Sequence, residues 1–449
     1  MVNLFKLFAY ITLSILLTSC SFNNTGGFFD NRYDDLEQEV LKKNSKLVFA
    51  ETKKFNEEIL GNISTQISEP IINKNWTQKN LTSGNYIPHL KYENKKQLIH
   101  KSKKIGKNKF KIPYLNSEPL LINDNILFSD LSGNIYIYSI DQKEIKWKFN
   151  FYKKRFKNLP IIIQLKIFND NLIASDNLGY LYSLKINTGK LNWAKNYGIP
   201  FSSNIKIDNE NIFILNQDNK YYSIKAKDGV QNLSLETFPN FLSSKQETNI
   251  SLDDLNKNLY FITSTGELYS VNYRVNNLNW LFTLFSGTKS RGDDLFFSSP
   301  IVYKNDKIFF STSLSTYSIN SRNGKINWEI PFSTYIRPIV TDDFIFFASK
   351  DGFLINLNIN NGQVNWSKYI YKSSKKLKKE KIGDIVSLSL VSNQVLATTS
   401  NGYLLFINFS NGDILNYTRA SKAGFYSNPI IANGKIYILD RKMRLLIYN

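Results

Sequence analysis

From residue 76 onward the chain sets short apolar runs between polar turn residues, and the order recurs. The stretch 300–328 shows it best. Pro300-Ile301-Val302 opens a short run after a proline, and Asn305-Asp306 supplies turn residues. Lys307 to Thr312 is a continuous apolar run, Leu314 to Asn320 alternates, and Asn323-Gly324 returns the chain into Lys325 to Ile330. Runs of five or six residues, some alternating and some continuous, predict β-strands half-buried or buried on both faces. Asn-Gly provides the positive φ angles that a two-residue hairpin needs, and Asp351-Gly352, Asn401-Gly402 and Asn411-Gly412 repeat the pair. The pattern therefore predicts four antiparallel strands per unit.

The units end on one phrase. It reads Asn187-Thr188-Gly189-Lys190-Leu191-Asn192-Trp193, then Arg322-Asn323-Gly324-Lys325-Ile326-Asn327-Trp328, then Asn360-Asn361-Gly362-Gln363-Val364-Asn365-Trp366. Weaker copies end at Trp147, Leu233, Trp280 and Asn416. A period of roughly 40–50 residues with four strands per repeat is that of a β-propeller blade. Seven full units precede the three strands read at Asn428 to Ile431, Lys435 to Asp440 and Arg444 to Tyr448. A three-stranded unit leaves an open edge, so an N-terminal strand is expected to complete it, and Asn75-Trp76-Thr77-Gln78 carries the closing tryptophan. The expected fold is all-β: an eight-bladed β-propeller of four-stranded antiparallel blades, its ring closed by that N-terminal strand. Trp76, Trp147, Trp193, Trp280, Trp328 and Trp366 are expected to pack between blades, because a bulky side chain fixed in every repeat suits structure better than a single ligand.

The first residues follow no such rhythm. Leu7 to Leu17 is an apolar run behind Lys6, of signal-peptide length and too short for a comfortable transmembrane helix. It ends in Leu17-Thr18-Ser19-Cys20, and Cys20 is the single cysteine of the chain. The expected organisation is a signal peptide over 1–19, a partly flexible tether over 20–70 and the propeller over 71–449.

The net charge of +20 changes little. The lysines are scattered among asparagines that are at least as abundant. The two denser clusters, Lys153 to Lys157 and Lys372 to Lys381, fall between strand groups and read as solvated loops rather than a nucleic-acid surface. His89 and His100 lie outside the full blades, and no His, Cys and carboxylate set has metal-site spacing. No nucleophile elbow or phosphate-binding glycine loop is present. Asp253-Asp254 and Asp293-Asp294 read as turn residues. No catalytic, cofactor-binding or metal-binding residue is assigned.

Two resemblances extend this reading. Leu17 to Cys20 resembles the bacterial lipobox, which implies lipidation at Cys20; Ser21, where an inner-membrane retention signal would have Asp, implies the outer membrane, periplasmic face. The closing phrase, preserved as Gly-Lys-x-x-Trp in Gly189 to Trp193 and Gly324 to Trp328, resembles the quinoprotein-type repeat. Within that superfamily the layout is similar to the BamB family of outer-membrane assembly lipoproteins, on four features. These are the lipobox, the early Asn75 to Gln78 strand with Gly84-Asn85 and Pro88-His89-Leu90, the loop from Ser286 to Pro300, and the short last blade Pro429 to Gly434.

That resemblance implies a scaffold that is not an enzyme and needs no cofactor. Its partners would be the barrel-insertase subunit and its accessory lipoproteins, with the membrane reached through the lipid and the propeller itself monomeric. It implies partner-binding loops around the third to fifth blades, with Phe238, Phe241, Leu242, Arg291, Asp293 and Asp294 as candidates. One alternative is a binding propeller for another envelope partner. The other is a quinone-dependent dehydrogenase, which shares the repeat. The dehydrogenase needs a calcium ion, a catalytic Asp and, in that family, a disulfide of adjacent cysteines that this sequence lacks.

Overall fold

The apolar runs pair into eight sheets of four antiparallel strands. The computed structural model describes residues 57–63, 67–110, 118–152, 156–237, 247–284, 297–371 and 377–449, all within the unit Phe55–Asn449. Blade 1 holds Leu120–Ile122, Asn125–Ser129, Ile135–Ser139 and Glu144–Phe149 in order. Blades 2 to 7 begin at Ile163–Phe168, Lys206–Asp208, Ser251–Asp253, Val302–Lys304, Ile339–Val340 and Ile385–Val391. First strands of neighbouring blades approach one another, so they line the inside of the ring. The second strands are buried on both faces: every residue of Phe344–Ala348, sequence FIFFA, is buried. Fourth strands such as Leu191–Asn196 are largely exposed. Hydrophobic burial, at roughly 25 cal/mol per Å² of apolar surface, thus lies mainly in the seams. One cluster, for example, joins Phe213 and Tyr221 of blade 3 to Leu259, Phe261 and Tyr269 of blade 4.

Blade 8 closes the ring with strands from both ends of the described chain. Its order is Ile430–Ala432, Lys435–Leu439, Leu445–Tyr448 and then Leu98–Lys101. The closing strand is therefore N-terminal, but it is not Asn75 to Gln78. Leu98 faces Tyr448 and Lys101 faces Leu446 in antiparallel register. Asn75 to Gln78 lies inside the ring instead. There Trp76 exchanges both backbone bonds with Leu121 of blade 1, at 2.7 and 2.8 Å. The edge of blade 8 needed a strand whose outward positions tolerate water, and Leu98–Lys101 is mostly exposed. Trp76 is wholly buried, and on an outer edge much of that large apolar surface would meet water.

The turns also sort differently from the sequence reading. The two-residue hairpins join first to second strands. Asn305 and Asp306 have φ of 47° and 58° and lie between the paired Lys304 and Lys307. Asn123-Asp124, Asn209-Glu210, Ser392-Asn393 and Asn433-Gly434 repeat this doubly positive geometry, the type I′ turn that suits strand twist. Asn323-Gly324 belongs to a longer loop. Gly324 alone is left-handed, at φ 71°, and its N–H bonds Asn320 O at 2.9 Å.

A third device links second to third strands. An Asp or Asn carboxyl or amide oxygen at the end of the second strand takes two backbone N–H groups of the turn. Asp130 Oδ1 takes those of Ser132 and Asn134, Asp176 Oδ1 those of Leu178 and Tyr180, Asn216 Oδ1 those of Asp218 and Lys220, and Asp440 Oδ1 those of Lys442 and Arg444. The side chain mimics a backbone turn.

Candidate functional site

Five tryptophans occupy equivalent seams. Trp147, Trp193, Trp280, Trp328 and Trp366 each donate the indole N–H to a carbonyl of the next blade. The acceptors are Ile186, Ala226, Ser321, Ile359 and Phe409, at 2.8–3.2 Å. Each ring also lies on the glycine of that next turn. A Cβ on Gly189, Gly229, Gly324, Gly362 or Gly412 would come within 2.6–2.9 Å of it. The glycine is thus required twice, by φ and by the ring above it. Trp76 stands apart from this set: its indole N–H reaches Glu118 Oε2 at 2.9 Å.

Inside the ring, residues 71–93 form a connected axial segment. Ile167 N–H of blade 2 donates to Thr77 O at 2.8 Å, and Lys166 Nζ to Gln78 Oε1 at 3.0 Å. Lys206 Nζ of blade 3 donates to Thr82 O at 2.8 Å. Leu252 N–H of blade 4 meets Ser83 O at 3.0 Å, and Tyr303 N–H of blade 5 meets Gly84 O at 2.8 Å. Asn85, fully buried, divides its amide protons between Ile250 O at 2.9 Å and Ile301 O at 2.8 Å, so it clasps blades 4 and 5. Leu90 exchanges backbone bonds with Leu390 and Ser392 of blade 7. Asn73 and Glu93 bond the first turn and first strand of blade 8.

Upstream, Ile59 pairs antiparallel with Ser367 on the outer strand of blade 6, and Ile63 N–H reaches Ser410 O of blade 7. Residues 57–63 thus lie against the propeller. From residue 57 to residue 101 the chain bonds to every blade. The positive φ of Asn80, Leu81 and Asn85 (62°, 63° and 62°) lets the backbone fold back within the ring.

Several ionisable groups are buried in this interior. Burial holds the Lys206 ammonium well below its ordinary range and brings Lys166 down to about 8, with Asp254 opposing the change. Lys79 is paired with Glu247 at 2.6 Å, and burial raises the Glu247 carboxyl against that pairing. Asp254 is also raised by burial, with a Ser83 hydrogen bond working against it. His89 accepts the Asn393 N–H at Nε2, 2.9 Å away, so the proton sits on Nδ1 and is donated to Ser68 O at 2.6 Å. Burial lowers its pKa. No local pattern marks His89 as the residue that holds the axial segment to blade 7, because its partner Asn393 is distant in sequence.

Cys20, Phe238, Phe241, Leu242, Arg291, Asp293 and Asp294 all lie outside the described residues. The described flank of the Arg291 loop is aromatic. Phe297 meets Tyr335 edge-on at 4.1 Å between centroids, and Lys350 Nζ stands 3.8 Å over the Tyr335 ring, a cation–π arrangement. Tyr335 is 52% exposed. Among the described residues no group of three or more His, Cys, Asp or Glu is placed to hold a metal ion.

Eight four-stranded blades, tryptophan-sealed seams and closure by strands from both ends define an eight-bladed β-propeller. The family model described as outer membrane protein assembly factor BamB matches residues 164–368 and 350–449. These matches span well over half of the sequence, and the chain belongs to that family. The protein of that name from Legionella pneumophila (strain Paris) is 22% identical over 204 residues, 45% of this chain and 50% of the relative. The one from Moranella endobia (strain PCIT) is 19% identical over 267 residues, 56% and 66% respectively. The chain thus spans about half to just under two-thirds of the length of these relatives.

Among solved structures, BamB from Moraxella catarrhalis superposes with a TM-score of 0.59 at 12% identity, over 79% of this chain and 97% of that one. Quinohemoprotein alcohol dehydrogenase from Comamonas testosteroni gives 0.60 at 9%, over 83% and 80%. At such identities the structural likeness speaks for the fold alone, and the family rests on the sequence match.

Proposed function

We propose that the protein is a non-catalytic scaffold of outer-membrane β-barrel assembly, anchored by lipid at Cys20 on the periplasmic face of the outer membrane. In this reading it binds the insertase subunit through propeller loops around the third to fifth blades, with Phe238, Phe241, Leu242, Arg291, Asp293 and Asp294 in the contact. The observation that carries it is the family match across 164–449. The mechanism is geometric. A ring held from within by its own N-terminal segment presents loops in fixed relation, and binding to a preorganised surface loses less conformational entropy. The aromatic pair Phe297 and Tyr335, with Lys350 against it, has the composition of an interface anchor beside the Arg291 loop.

The test is affinity purification of the tagged, lipidated protein from its own solubilised membranes, with identification of what accompanies it. Recovery of a barrel insertase, lost on Arg291→Glu, is the expected result. Recovery of unrelated envelope proteins alone would overturn the assembly role and leave a binding propeller for another partner.

A further inference from the structure

At one mouth of the ring, where the first strands of blades 5 to 8 begin, a cavity of about 270 Å³ remains beside the axial segment. Its walls are mainly apolar and include Ile87, Pro300, Val386 and Pro429; Arg337 and Glu118 bring charge to it. Arg337 precedes the first strand of blade 6 and is only 9% exposed. Two of its five N–H groups go to backbone carbonyls, Pro338 O and Leu388 O, both at 2.9 Å. The other three have no acceptor among the described residues, and no described carboxylate stands within ion-pair distance. Glu118 lines the same cavity without touching Arg337, and its Oε2 already accepts the Trp76 indole N–H and the Asn80 N–H, at 2.9 and 2.7 Å. Glu118 acts on the guanidinium from beyond ion-pair distance, and a buried guanidinium compensated at that range remains unfavourable. The planar fork of Arg suits a carboxylate.

We propose that this cavity binds a carboxylate carried on a small apolar body, with Arg337 as the anchor and Ile87, Pro300, Val386 and Pro429 around the apolar part. A cavity of about 150 Å³ holds a benzene ring, so the space admits an aromatic or short aliphatic acid. The cavity borders the proposed contact surface, since Pro300 and Tyr335 line it, but its anchor, Arg337, takes no part in the contact proposed above, so binding of the acid can be read apart from the scaffold role. The same chemistry is offered by a free organic acid and by the C-terminus of a peptide ending in an apolar residue.

The test is calorimetric titration of the full chain with phenylacetate and with phenylacetamide, which has the same shape without the charge. The acid is expected to bind at least tenfold more tightly, since a charge-assisted bidentate contact contributes a factor of about 10 to 100. Arg337→Gln should remove that preference. Val386→Phe, which narrows the cavity and leaves the guanidinium, should weaken the acid at an unchanged melting temperature. N-acetylphenylalanine against its amide separates the sources: tighter binding than phenylacetate identifies a chain terminus, weaker binding a free acid. Equal binding of acid and amide, or no heat from either acid up to millimolar concentration, overturns the proposal.

Discussion

Asn85 is the residue through which the account of the ring interior is most exposed to test. It is fully buried at φ 62°, and each of its amide protons goes to a different blade. Asn85→Ala removes both bonds. Ile250 O retains a weaker one, from Asn204 Nδ2 at 3.3 Å, whereas Ile301 O loses the side-chain donor that reaches it across the seam. A buried carbonyl left without a partner costs about 1–3 kcal/mol. A left-handed alanine in place of asparagine adds roughly 1 kcal/mol. The expected loss of stability is about 2–4 kcal/mol, read from the midpoint of reversible denaturant unfolding.

Asn85→Gly relieves the φ term and should recover roughly 1 kcal/mol of that. Asn85→Asp keeps the shape but turns two donors into acceptors aimed at carbonyls, so it should be the worst of the three at neutral pH. It should improve as the new carboxyl is protonated. A loss below about 0.5 kcal/mol for Asn85→Ala, or equal losses for Ala and Gly, would refute the reasoning that the axial segment clasps the blades.

Other expectations follow from the same geometry. Trp328→Ala should destabilise by about 3–5 kcal/mol, and Trp328→Phe by less, since it forfeits chiefly the bond to Ile359 O; equal midpoints would contradict the seam role. Gly324→Ala should destabilise as well, because its Cβ would stand 2.8 Å from the Trp280 ring at φ 71°; an unchanged midpoint would show that the ring yields. His89 is held below its ordinary pKa in the folded state. The unfolded chain therefore takes the proton first, and stability should fall as pH drops below about 6.5, a slope that His89→Gln should flatten. Deleting residues 444–449 removes the strand Leu445–Tyr448, which lies between Leu98–Lys101 and Lys435–Leu439. It should destabilise the whole ring, and an unchanged melting midpoint would contradict closure through blade 8.

What the sequence showed, and what it hid, follows from how local each signal is. Strands such as Lys307–Ser311 and the turn residues Asn305-Asp306 announce themselves because one blade is a local hairpin series repeated along the chain. The tryptophan and glycine of each seam are visible for the same reason, although they come from neighbouring blades. The closing strand Leu98–Lys101, sequence LIHK, carries neither tryptophan nor glycine, and its pattern of exposure is close to that of a loop. Trp76 drew attention by residue type, yet Glu118, its partner, has no counterpart in the repeat. The axial segment was illegible because its bonds are long-range: Asn85 meets Ile250 and Ile301, and His89 meets Asn393. Arg337 reads as an ordinary residue before a strand until the ring places it against a cavity. The proposed contact loops follow from the family resemblance, and Phe238, Phe241, Leu242, Arg291, Asp293 and Asp294 lie outside the described residues.

The most direct test of the scaffold role is depletion of the protein in its own cell, followed by the amount of folded barrel protein in the outer membrane, read by heat-modifiable electrophoretic mobility. Folded barrels should fall and unfolded precursors accumulate, and re-expression of the lipidated chain should restore them while Cys20→Ala should not. Unchanged levels of folded barrels on depletion would contradict the assembly role, whatever the ring binds.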